Sequence, residues 1–136
     1  MEKITLKPAS VFHYFEEICQ VPRPSKKEEK IIAYLENFAQ TQSLEWTKDE
    51  AGNILIKKPA TPGKENLKTV ILQSHIDMVC EKNSDSTHDF MNDPIETYID
   101  GEWLKAKGTT LGADNGIGMA TQLAILAADD IEHGPI

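Results

Sequence analysis

The residues best suited to chemistry fall in two short stretches. The first is Ser74-His75-Ile76-Asp77, which follows the apolar run that starts at Thr69. On an extended chain, side chains at i and i+2 share a face, about 6.5 Å apart along the chain. Asp77 can therefore hydrogen-bond one ring nitrogen of His75 and leave the other for a ligand, the arrangement that fixes the tautomer of a metal-bound histidine. The His-x-Asp spacing is common, and a solvated ion pair is its everyday meaning. The second stretch runs from Gly108 to Gly118 (GTTLGADNGIG). Glycines crowded around Asp114 call for close backbone approach and unusual dihedrals. The apolar helix that follows would favour an ionised carboxylate at its N-terminus. The same residues also describe an N-cap aspartate after a flexible loop. A phosphate loop is excluded by the missing Gly-Lys-Ser/Thr ending, and no dinucleotide fingerprint is present.

The flanking elements decide where these residues sit. Ser10 can cap a helix with Val11, Phe12, Phe15, Ile18 and Cys19 on one face, ended by Val21-Pro22. Ser25 to Glu28 reads as a capping box opening a helix with Ile31, Ile32, Leu35, Phe38 and Ala39 in helical period. Strands are predicted over Leu44 to Thr47 and Asn53 to Lys57, around the turn Asp49 to Gly52, and Ala60 to Gly63 reads as a loop. Thr69 to Ser74 (TVILQS) has the β-branched, apolar character of a strand in the middle of a sheet. His75 would then stand at a carboxyl end, where open α/β sheets place ligands. From Glu81 to Pro94 the chain is polar and irregular. Ile95 to Ile99 and Glu102 to Ala106 bracket Asp100-Gly101, a hairpin signal. Gly116 to Ala128 is apolar nearly all round and predicts a buried helix. Helices alternating with strands give an α/β fold. The ending Glu132 to Ile136, a helix stop and the first residue of what reads as another strand, predicts an unfinished fold. The alternative is a complete small α/β domain with a binding or structural role.

The bulk properties narrow the partners. In 136 residues, 40% are hydrophobic and 26% charged, as in a soluble globular chain rather than a disordered one. A net charge of −8 argues against nucleic acid as a partner, which needs basic patches. Lys26-Lys27 and Lys57-Lys58 read as solvated surface. The opening MEKITLKPAS lacks the apolar core of a signal peptide, and no window approaches the roughly 18 apolar residues of a membrane span. No membrane partner is expected, and Cys19 and Cys80 read as reduced thiols in the cytoplasm. His13 and His133 read as structural, His88 as ordering its loop, and Cys80 as an apolar thiol rather than a zinc ligand. The acidic pairs Glu16-Glu17, Glu28-Glu29 and Asp129-Asp130 read as solvent-facing.

Together, Ser-His-Ile-Asp-Met-Val after an apolar run and Gly-Thr-Thr-Leu-Gly-Ala-Asp-Asn-Gly-Ile-Gly further on resemble the M20 metallopeptidases, within them the aminoacyl-histidine dipeptidase branch. Val21 to Ser25 resembles the family's entry to its second helix, Asp49 to Ile54 its early hairpin, and Val79 to Asn83 with His88-Asp89-Phe90 and Asp93-Pro94 a loop of this branch. The resemblance covers essentially the whole chain. It implies a partial zinc-peptidase-like three-layer α/β fold, a mixed sheet flanked by helices. Residues 1–136 would be the N-terminal part of the catalytic domain, with the rest of that domain and the lid domain outside them. His75 would be a ligand of one zinc, Asp77 the catalytic residue that orients it, and Asp114 the bridge between two metals, zinc with manganese or cobalt as alternatives. The Asp114–Asn115 peptide bond would be cis. The substrate would be a dipeptide of Xaa-His type, and the whole protein could be a homodimer. The general base and remaining ligands would lie outside this sequence, leaving these residues inactive alone. A tripeptidase or deacylase of the same family is the related alternative.

Overall fold

A computed structural model of the chain describes residues 5–136. Met1 to Ile4 of the opening stretch read for a signal peptide lie outside the described residues. The α/β class is borne out: α1 (Ala9–Cys19), α2 (Glu29–Thr41), β1 (Glu45–Lys48), β2 (Ile54–Lys57), β3 (Thr97–Asp100), β4 (Trp103–Ala106) and α3 (Ala113–Ala127) follow in chain order. The strands form two separate antiparallel hairpins, β1 with β2 and β3 with β4. Pro24 and Met78 add one parallel bridge between distant segments.

The helical periods produce the core. Phe15, Ile18 and Cys19 of α1, Ile31, Leu35 and Phe38 of α2, and Met119, Ala120 and Leu123 of α3 are buried in one cluster with Met78 and Ile95. Residues three and four apart share a helix face, so each helix offers one apolar stripe. Burial of a side chain such as Phe15 or Ile18 contributes about 1.5–3 kcal/mol. Truncating Ile18 to alanine would cost about 2–5 kcal/mol, because the cavity left behind only partly collapses.

Several local expectations are corrected. Ser10 lies inside α1, whose N-cap is Pro8, already set at φ −68°. Ser25 does not cap α2. The turn closed by Lys27 N to Pro24 O (2.9 Å), with Lys26 at φ 68°, moves the start to Glu29 with Glu28 as cap. In the second hairpin Asp100 pairs with Trp103, so the two loop residues are Gly101 and Glu102 rather than Asp100 and Gly101. Gly101 takes the first of them at φ 61°, a conformation that costs glycine little. Lys58 is not solvated surface. Its Nζ donates to Ile125 O at 3.0 Å and Ala128 O at 2.5 Å, satisfying carbonyls at the end of α3 where a cation suits the dipole.

Thr69 to Ser74 carries no strand ladder, and Ile71 is 84% exposed. A run becomes a strand only where neighbours accept its backbone bonds. Here Val70 N bonds Pro135 O at 3.0 Å, while Ile136 exchanges bonds of 2.8 and 3.0 Å with Lys58 at the end of β2. The terminal residues thus enter a gap that the rest of the run leaves open. Likewise α3 buries one face rather than its whole circumference. It packs on α1, while Ile117 remains 38% exposed.

Candidate metal centre

Two loop segments, far apart in sequence, are stitched together by backbone bonds. Asn83 N donates to Gly108 O at 2.8 Å and Thr110 N to Glu81 O at 2.8 Å, while Thr110 Oγ1 donates to Val79 O at 2.7 Å. A short antiparallel bridge joins Lys82 and Thr109. This stitching brings the chain after Asp77 alongside the chain before Asp114. Ser74 Oγ donates to Gln122 Oε1 of α3 at 3.0 Å, which anchors the His75 segment from the other side.

The three predicted site residues meet. His75 Nδ1 faces Asp77 Oδ1 at 3.0 Å, and its Nε2 faces Asp114 Oδ1 at 2.9 Å. Asp77 in turn accepts a hydrogen bond from Ser25 Oγ on Oδ2. The hydrogen bond to Asp114, seconded by Asp77, raises the His75 pKa above its ordinary value. The Ser25 hydroxyl, seconded by His75, holds the Asp77 carboxyl below the usual range. Asp114 is not an N-cap. Gly112 occupies that position at φ 72°, and the carboxylate, with its side chain 96% exposed, is turned to His75. The Asp114–Asn115 peptide bond is cis, and regular helix begins at Gly116.

The donors suit a divalent cation. An imidazole nitrogen and a carboxylate oxygen are ordinary zinc ligands, and two donors on one tetrahedral zinc stand about 3.3 Å apart, close to the His75–Asp114 separation. The carboxylate behind His75 completes the arrangement that orients such a ligand. A catalytic zinc takes three protein ligands, and among the described residues no group of three or more His, Cys, Asp or Glu side chains is placed to hold a metal. These residues therefore fit part of a centre. His75 and Asp77 also line an open groove of about 1490 Å³, together with Met119 and Leu123 of α3, β2 and the rest of the 69–77 segment.

The other histidines stand away from this cluster. His13 pairs with Glu17 on the outer face of α1, and His133 Nδ1 lies 2.7 Å from Gly134 O. His88 packs edge-on against Phe90, and its main-chain oxygen accepts from Lys82 Nζ at 2.8 Å. Asp89 bonds Met91 N and Asn92 Nδ2 rather than His88. Both cysteines are free, and burial pushes the Cys19 thiol up to about 12.

Sequence reasoning missed Ser25 and Arg23. Ser25 was read as a cap, and the residue it serves is 52 positions away. Arg23 is 2% exposed, an unusual state for arginine. The one sequence signal was its place between two prolines, directly after an amphipathic helix.

No family model matches the chain. It is 53% identical over 131 residues to the cytosol non-specific dipeptidase of Escherichia coli K12, covering 96% of this chain and 27% of that protein. Among solved structures, aminoacylhistidine dipeptidase from Vibrio alginolyticus matches with 58% identity and a TM-score of 0.95, over 97% of this chain and 27% of that one. A tripeptidase from Staphylococcus aureus shares the fold at 22% identity and a TM-score of 0.73, over 93% of this chain and 34% of that one. The chain thus spans about a quarter of the length of the dipeptidases it resembles, and the resemblance read from the two motifs extends over nearly all of it.

Proposed function

We propose that residues 1–136 form the N-terminal part of the catalytic domain of a cytoplasmic, metal-dependent dipeptidase, whose remaining catalytic residues and lid lie in further sequence. The observation that carries this reading is His75 held between two carboxylates, one behind each ring nitrogen. Asp77 accepts from Nδ1–H, so release of the Nε2 proton that Asp114 now accepts would leave the Nε2 lone pair for a metal on the Asp114 side. Ser25 fixes the second oxygen of Asp77, which limits rotation of the carboxylate and with it the ring. Asp114 presents its carboxylate to the same point from the non-helical start of α3. His75 would hold one metal and Asp114 would bridge two, zinc by preference with manganese or cobalt as alternatives. When bound, such a pair polarises the scissile carbonyl and lowers the pKa of a bridging water. Asp77 acts as the catalytic orienting group.

The substrate class is the dipeptide, with Xaa-His peptides included, in keeping with the names of the two dipeptidases the chain resembles. Nucleic acid and membrane have no part in this reading, and a homodimer of the whole protein is compatible with it. The test is hydrolysis of dipeptides, tripeptides and N-acyl amino acids by the whole protein carrying this sequence, with and without a chelator. Dipeptide cleavage that needs metal, lost by at least 10³-fold in His75→Ala and Asp114→Ala, is the expected result. Preference for tripeptides or acylated amino acids would reassign the substrate within the family. Undiminished activity in His75→Ala would overturn the site.

A further inference from the structure

Beneath the His75–Asp114 pair lies a buried cation. Arg23 Nη1 donates to Ile76 O at 3.2 Å and Asp77 O at 3.0 Å, and its Nη2 donates to Gly112 O at 2.6 Å. One guanidinium therefore grips the backbone at both metal-site segments, 53 to 54 residues away on one side and 89 on the other. Its own main chain is held to the first segment, since Met78 N donates to Arg23 O at 3.0 Å. The seat is cut to shape by absent side chains. A Cβ on Gly112 would stand 2.6 Å from Nη2, and one on Gly116 would stand 2.7 Å from it. Two of the four glycines around Asp114 thus admit the guanidinium, and another, Gly118, leaves room for the Asn115 side chain.

We infer that Arg23 is a positioning residue for the metal centre: by tying the carbonyls of Ile76, Asp77 and Gly112 to one rigid fork, it sets the distance at which His75 and Asp114 face each other. This rests on the reading of those two residues as ligands, and it assigns Arg23 no contact with metal or substrate. Three features support a role in geometry rather than bulk packing. The fork is planar and pre-organised, which a flexible lysine is not. Of the carbonyls it grips, one belongs to Asp77 itself, one to Ile76 between His75 and Asp77, and one to Gly112, two residues before Asp114. Finally, Ser25, two residues on in the same segment, bonds the Asp77 carboxylate, so one short stretch fixes both the backbone and the side chain of the site.

The experiment compares the whole protein with Arg23→Met, Arg23→Lys and His75→Ala, reading zinc affinity by competition with a chromophoric chelator and the His75–Asp114 separation by crystallography. In folded Arg23→Met the two side chains should move apart by more than 1 Å and zinc affinity should fall about 10–100-fold, the usual effect of losing a group that orients ligands. Arg23→Lys should recover only part of both, since a point charge cannot span three carbonyls. Should Arg23→Met fail to fold, Arg23→Lys decides on the same two readouts. An unchanged separation with zinc affinity within twofold of wild type overturns the inference, even if thermal stability drops. If His75→Ala binds zinc as wild type does, the metal-site reading fails instead, while the crystallographic distance still judges Arg23.

Discussion

His75 Nε2 stands 2.9 Å from Asp114 Oδ1 across 39 residues of sequence, His75 presented by a loop and Asp114 by the non-helical start of α3. Loops hold such precision only when tied down. Here the ties are the Thr110 and Asn83 bonds, the Arg23 fork and the Ser25 hydroxyl.

The 136-residue chain alone should hydrolyse no dipeptide at a measurable rate. A positioned acid or base contributes about 10²–10⁴-fold, and the resemblance puts the general base outside this sequence. Zinc-dependent dipeptide hydrolysis by the purified chain would contradict this.

Metal binding by the same chain should be weak, because His75 and Asp114 supply two ligands where a catalytic zinc takes three. Calorimetry should show no tight site, and whatever heat appears should vanish in His75→Ala and in Asp114→Ala. Two tight zinc sites would show that other residues of this chain complete the centre.

Gly112→Ala and Gly101→Ala separate backbone strain from steric conflict. Both glycines have φ in the left-handed region, 72° and 61°, where a side chain costs roughly 1–2 kcal/mol. At Gly101 nothing lies within 4 Å of the new Cβ, so strain should be the whole effect. At Gly112 the Cβ would meet Arg23 Nη2 at 2.6 Å and Met78 Sδ at 2.9 Å, and this overpacking should add about 1–3 kcal/mol. Urea denaturation of both variants measures the difference. Equal losses would mean that the Arg23 seat relaxes freely.

Asp49 should make hairpin stability depend on pH. Its carboxylate accepts from the Asn53 side chain at 2.7 Å and from Asn53 N and Ala51 N at 2.9 Å each, and these bonds, the Asn53 side chain first, hold its pKa below 3.8. A depressed folded pKa means that the stabilisation is fully present above 3.8 and disappears as pH falls through the lower folded value. Asp49→Ala should therefore unfold at lower urea than wild type at pH 7, with the gap closing in acid below that value. A gap independent of pH would assign the effect to the turn's shape instead of its charge.

Much of the site was written locally. The i, i+2 relation of His75 and Asp77 follows from an extended backbone, and the glycine density before α3 announced close approach at Asp114. Helical periods identified the buried faces of α1 and α2, because 3.6 residues per turn leaves a mark within a dozen residues. The strands were legible to within two residues where a partner lay next in sequence, as in β1–β2 and β3–β4. What sequence alone could not decide were interactions whose partners are remote. Thr69 to Ser74 has the composition of a central strand, but composition cannot supply the neighbour that accepts its hydrogen bonds. Ser25 had a capping box around it, yet its hydroxyl had a stronger acceptor in a carboxylate that only folding brought near. Arg23 gave no periodic signal at all. A buried cation must find acceptors wherever the backbone offers them, and Ile76, Asp77 and Gly112 became neighbours only when the two loops closed over it.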